Sequence, residues 1–294
     1  MSLNRLDEAG AVFRQAEDRK LESEELLDGR YQLAFLKGDT AEMERLVAQA
    51  NGKPGIEDVL LGDQAETEAY HGRLGKARQL TQWAIDSAER NDAKETAAGY
   101  YSRAGRDEAY LGETSRSRAD VNAALRLAPN RDVQVDATLA HALIGDTRAE
   151  KLADELSRSF PLDTRVQRCW LPTIRAALAL QRERADEAIE LLQVTAPYEL
   201  SSPDPIYMRG QAFLTLRNGS SAAAEFQKLL DHRGIVLNSP LGALVHLGLA
   251  RAYALSGDTA KARTKCQDFF ALWKDADPDS PILKQAKAEY ARLQ

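Results

Sequence analysis

The chain has 294 residues, a mass of 32.5 kDa and a formal net charge of −6. Its 47 alanines and 39 leucines so outnumber its 18 valines and isoleucines that a large β-sheet is excluded, because β-branched side chains are what pack well on pleated surfaces. Lys and Arg are scattered rather than gathered on a basic face, which argues against nucleic-acid binding. No stretch reaches the roughly 18 apolar residues of a membrane span.

Apolar residues recur at helical spacing along the whole chain. Residues 4–22 predict a single amphipathic helix that opens directly from Met1-Ser2-Leu3-Asn4-Arg5, with no leader, so the expected location is cytoplasmic. The acid run Glu22-Ser23-Glu24-Glu25 reads as a solvated helix end. Helical hairpins are expected at about 28–51, 56–90, 92–128, 132–159, 163–195, 204–232 and 239–274. A last helix over about 281–293 places Ile282, Leu283, Ala286, Tyr290 and Leu293 on one stripe.

The hairpins repeat. Gly-Asp-Thr occurs at Gly38, Gly145 and Gly257, and weaker turns fall at Gly75, Gly112, Arg184 and Gly219. Successive turns are therefore 33 to 39 residues apart. Glycine recurs because a helix commonly stops on a left-handed residue, which glycine adopts without a Cβ penalty. The Asp or Ser/Thr that follows can cap the next helix. Asp204-Pro205, Ser239-Pro240 and Ser280-Pro281 mark helix starts in step with those turns, since proline is tolerated at the first helical position.

Within this period, Leu249, Ala250 and Tyr253 precede Gly257 and Ala262 follows it. Phe213, Ala222 and Phe226 repeat the spacing, as do Ala179, Ala188 and Leu192. The pattern resembles the tetratricopeptide repeat, a helix–turn–helix unit of about 34 residues. Met43 takes the small position after Gly38, and Ala149 or Glu150 takes it after Gly145. Ala119 lies seven residues past Gly112, which predicts an insertion in that turn. The resemblance implies an all-α fold, a right-handed α-solenoid of stacked antiparallel hairpins. It covers 1–294 as one unit: a half-repeat over 1–27, about seven hairpins over 28–274 and a capping helix over 275–294.

A narrower likeness lies in Thr67–Arg78, Ala128–Val133, Trp170–Ala177, Ala196–Leu200 and the stretch from His246 to the end, with Phe269-Phe270-Ala271-Leu272-Trp273. These segments are similar to the C-terminal repeat region of bacterial eukaryotic-type serine/threonine kinases and of winged-helix regulators that share it. That likeness implies a fragment of a larger signalling protein, with residues 4–22 as the second helix of a repeat begun elsewhere.

No catalytic constellation is found. His71, His141, His232 and His246 do not pair at metal-ligand spacing, and neither a P-loop nor a G-x-S-x-G motif occurs. His232-Arg233-Gly234 is like a kinase catalytic loop only superficially. Cys169 and Cys266, 97 residues apart, read as small buried hydrophobes. The chain is thus expected to be no enzyme and to need no cofactor or metal. Stacked hairpins enclose a concave groove lined by first helices. The repeat register puts Gln64, Glu68, Tyr207, Gln211 and Arg251 on it. The expected function is a protein-interaction or scaffolding module that holds a protein or peptide in that groove. The alternatives are a sensor that binds a peptide or small molecule to control a fused kinase or DNA-binding effector, and self-association.

Overall fold

A computed structural model describes residues 1–21 and 23–293; Glu22, in the acid run, and Gln294 lie outside the described residues. Among the described residues there are seventeen α-helices and no strand. Helix α1 (Leu6–Asp18) precedes seven helical pairs. The first four are α2 (Glu24–Lys37) with α3 (Thr40–Ala50), α4 (Glu57–Tyr70) with α5 (Leu74–Arg90), α6 (Lys94–Tyr110) with α7 (Thr114–Leu127), and α8 (Arg131–Leu143) with α9 (Arg148–Ser159). A π-helical turn over Val166–Trp170 leads into α10 (Leu171–Gln181), paired with α11 (Ala185–Leu192). A 3₁₀ stretch over Gln193–Ser201 then precedes α12 (Asp204–Thr215) and α13 (Gly219–Asp231). One-turn α14 (Arg233–Val236) joins these to α15 (Leu241–Leu255) and α16 (Thr259–Leu272), and α17 (Pro281–Ala291) packs on α16. This is an all-α helical-repeat solenoid. No helix among the described residues is long and apolar enough to cross a membrane.

One hydrogen-bond pattern builds every hairpin turn. The amides of Asp39, Arg73, Glu113, Asp146, Arg184, Asn218 and Asp258 each donate to the carbonyl five residues back, all at 2.9 Å. That six-to-one bond requires a left-handed residue just before the donor. Gly38, Gly112, Gly145 and Gly257 supply it, as the sequence predicts. In the other three turns the expected residue is displaced. The left-handed positions are Gly72, Glu183 and Arg217, not Gly75, Arg184 and Gly219. Gly75 already lies in the first turn of α5. Glu183 and Arg217 accept a strain of roughly 1–2 kcal/mol, the cost of the left-handed region for a residue with a Cβ. Asp39, Asn218 and Asp258 then cap the following helices through their side-chain oxygens, each at 3.1 Å.

The corrected turns sharpen the packing register. Five residues past the left-handed residue stand Met43, Ala77, Ser117, Ala188, Ala222 and Ala262, all buried. The insertion expected after Gly112 is absent: Ser117 holds the crossing position, and Ala119 is exposed. In the fourth pair Ala149 occupies the crossing, fully buried. Small residues there let paired helices approach closely. Phe226 fills the space beside one crossing. A Cβ added at Gly210 or Gly248 would lie 2.6 or 2.8 Å from its ring, so both glycines are needed for its seat.

The second and last pairs of the array touch. Trp273 Nε1 donates to the Tyr70 carbonyl at 2.9 Å, and the Asp277 amide donates to the Gly72 carbonyl at 3.0 Å. The Asp277 carboxylate accepts from the Gly75 amide at 2.7 Å. Gly72, at φ +73°, lies under Trp273 and Ala276. Deeper in, Asn238 Nδ2 donates to the Asp63 carbonyl at 2.8 Å, and Tyr110 donates its hydroxyl proton to Asp204 at 2.6 Å. Helices α4 and α6 thus meet the C-terminal pairs across the superhelix axis, and the solenoid closes on itself.

Candidate partner-binding site

Closure decides where the five groove candidates lie. Tyr207 is buried at the centre, edge-to-face with Tyr110 at 5.6 Å and with Phe226 at 5.7 Å. Gln211, one turn along α12, is partly exposed beside it. Arg251 on α15 is tied to Glu289 of α17 at 2.9 Å. Glu68 is buried at the end of α4, paired with Arg73 and, at 2.8 Å, with Lys76. There it holds the α4–α5 turn. Gln64, one turn earlier on α4, lines a shallow hollow against α3 with Val47 and Leu60. The structure therefore brings Tyr207 and Gln211 together and sets Gln64 and Glu68 elsewhere.

The capping role read into Asp204-Pro205 also changes. Pro205 is inside the first turn of α12, but the Asp204 carboxylate turns inward to accept from Tyr110 and from Ser202 at 2.7 Å. Cys169 and Cys266 are free and buried, and burial pushes the Cys169 thiol up to about 11. His141 is fully buried with no hydrogen bond to either ring nitrogen among the described residues; its Nδ1 lies 3.6 Å from Asp146, and burial pushes the imidazole down to about 4. No cluster of metal-ligating side chains occurs among the described residues.

The open hollow with the strongest chemical character lies at the seam where the array closes. Its volume is about 490 Å³. Phe35 and Tyr70 line it from the N-terminal side, stacked edge to face at 5.0 Å. Leu230, Leu237, Val245 and Leu272 line it from the C-terminal side. Three polar groups face this apolar wall. Asp268 pairs with Lys265 at 2.8 Å, and His246 Nδ1 lies 3.6 Å from Asp268 without a hydrogen bond. Burial holds the His246 imidazole below its ordinary value. Arg233, exposed at the rim, forms no ion pair with any described residue.

Local strain positions this wall. Leu237 sits at φ +55°, ψ −135°, a conformation that costs a branched residue on the order of 1–3 kcal/mol. It is held there because the next residue, Asn238, is fully buried and anchored on α4 by the Asp63 carbonyl and, at 3.2 Å, by the Thr67 hydroxyl. Sequence reasoning missed Arg233, Leu237 and Asn238. The available signal was polar Asn238 standing directly after the apolar run Ile235-Val236-Leu237.

No family model matches the sequence, and no curated protein gives a significant match. Solved structures do. A monomeric mutant of IFIT1 with Gppp-AAAA aligns at TM-score 0.51 and 17% identity, over 98% of this chain and 78% of that one. A tetratricopeptide repeat protein from Parabacteroides merdae aligns at TM-score 0.49 and 12% identity, over 96% of each chain. Yeast Tom70 aligns at TM-score 0.46 and 16% identity, over 98% of this chain and 58% of its own. With the repeated hairpin turn, the alignment to IFIT1 gives the fold alone: an all-α helical-repeat solenoid.

Proposed function

We propose that this chain is a non-enzymatic interaction module that docks an apolar segment of a protein partner in the seam hollow. The observation that carries this reading is the hollow itself: a largely apolar hollow of about 490 Å³ whose rim holds Arg233, which has no ion-pair partner among the described residues. Binding sites favour such concavities between packed units, with few polar groups to orient the ligand. The inner face, where repeat proteins commonly bind, is occupied by the chain's own Tyr110, Tyr207 and Asn238. Leu237 adds a strained position of the kind found at binding clamps. The segments similar to bacterial kinase repeat regions support a regulatory place in a larger signalling protein.

The test is a peptide-display selection on the folded chain, followed by titration of the selected peptides against two variants. Leu230→Asp puts a charge in the apolar wall, and Arg233→Glu reverses the rim charge. Each is expected to weaken binding by at least about tenfold, with the circular dichroism unchanged. Peptides that bind both variants as tightly as the parent would remove the hollow from the reading.

A further inference from the structure

The charges of the seam hollow are not balanced. Asp268, the carboxylate there, is already held by Lys265 at 2.8 Å and has His246 Nδ1 at 3.6 Å. Arg233, exposed on one-turn α14, has no carboxylate within ion-pair distance among the described residues. The hollow therefore presents one uncompensated charge, and it is positive.

Tyr70 supplies a second donor. Its ring forms part of the wall, edge to face with Phe35, and its hydroxyl makes no hydrogen bond to any described residue. Burial raises the Tyr70 phenol and Arg233 acts against that rise, so the guanidinium is close enough for its charge to be felt at the hydroxyl. The same charge reaches His246, where it opposes protonation. A guanidinium and a phenol thus border an apolar wall that includes Leu230, Leu237 and Leu272. The chemical complement of that pair is a carboxylate, since charge-assisted hydrogen bonds are roughly twice as strong as neutral ones.

The place of the charge favours a chain over a free acid. At the exposed rim, water competes for the guanidinium, so an isolated ion pair there is worth little. A peptide can lay apolar side chains on the wall and hold its carboxylate at the rim without a separate loss of freedom. Phe35, Tyr70 and Arg233 are also of the residue types enriched where proteins meet.

We propose that the segment docked in the seam hollow is acidic as well as apolar, with an aspartate or glutamate beside its apolar anchors bonded to Arg233 and the Tyr70 hydroxyl. This pairing rests on the docking proposed above and adds to it the charge of the partner. The chain's net charge of −6 does not attract an acidic partner from a distance, so Arg233 acts through selectivity at contact rather than through steering.

The experiment is selection from a display library of random peptides about twelve residues long, with the parent chain and with Arg233→Glu as separate baits. Leu230→Asn changes the wall without changing its charge, and binding lost on it marks the peptides seated in the hollow. Among those, parent-selected peptides are expected to carry Asp or Glu next to a leucine or an aromatic residue, and Arg233→Glu should select Lys or Arg in its place. Changing the acid to its amide should weaken binding to the parent about tenfold or more, and binding to Arg233→Gln less than about threefold. Tyr70→Phe keeps the ring and should weaken the acidic peptide but not its amide. The acidic partner is overturned, with docking intact, if the hollow-seated peptides carry no acid or bind Arg233→Gln as tightly as the parent. An undiminished acidic peptide on Tyr70→Phe would strike the hydroxyl from the pairing. Sodium hexanoate binding as tightly as the peptides would make the occupant a free acid and overturn the peptide. If no selected peptide depends on Leu230, the docking itself fails and the acidic partner with it.

Discussion

Glu108 is where burial and charge conflict most openly. In the folded chain it holds a proton up to about 7, against an ordinary value of 4.5, because burial disfavours the carboxylate. A folded-state value above the unfolded one means stability is fully present below the unfolded value and is lost as pH rises through about 7. Glutamine keeps the volume and does not titrate. Glu108→Gln should therefore gain melting temperature on the parent steadily between about pH 5 and pH 8. A constant difference across that range would show that Glu108 is not raised. A second residue-scale case is Gly248. Alanine is the better helix former by roughly 1 kcal/mol, yet its methyl would meet the Phe226 ring at 2.8 Å. Overpacking costs typically about 1–3 kcal/mol, so Gly248→Ala should destabilise. Gly99, which has nothing within 4 Å of an added Cβ, should be stabilised by the same change.

At the scale of the element, most of the hairpin order was legible in the sequence, because helix stops have local causes. Gly38, Gly112, Gly145 and Gly257 adopt the left-handed turn that their residue type permits. Glu183 and Arg217 could not be read, since tertiary packing imposes that conformation against their preference. Gly75 misled for a related reason: it sits three residues past the true stop, where its amide serves Asp277 of the far end. Ser117 escaped notice because its burial comes from Gly105 on α6, whose missing side chain admits the α7 backbone. The Ala262 register can be tested directly. Ala262 is fully buried and Ala260 exposed, so Ala262→Leu should cost about 1–3 kcal/mol while Ala260→Leu stays within about 0.5. Equal melting temperatures for the two variants would place the crossing elsewhere.

At the scale of the molecule, curvature governs, and no periodicity in the sequence reports it. The groove residues follow from the register of single hairpins; whether the groove stays open depends on small rotations accumulated over seven of them. Asn238, Tyr110 and Trp273 turn that accumulation into contact between the halves. An open solenoid couples each repeat only to its neighbours. Here residues 70–75 and 272–277 share a clasp of backbone and side-chain bonds though they are some 200 residues apart. Trp273→Ala removes the indole donor and the ring above Gly72, a loss of about 3–5 kcal/mol for a buried tryptophan. It should speed hydrogen exchange at 70–75 as well as near 273, and enlarge the radius of gyration seen by small-angle scattering. Leu156→Ala in α9, also fully buried, costs about 2–5 kcal/mol but touches no part of the clasp. It should lower the melting temperature and leave exchange at Gly72 and the radius as they were. If the two variants relax the 70–75 segment alike, the array unfolds as one unit and the clasp has no separate existence. If Trp273→Ala relaxes only its own repeat, the two pairs are in contact without being coupled.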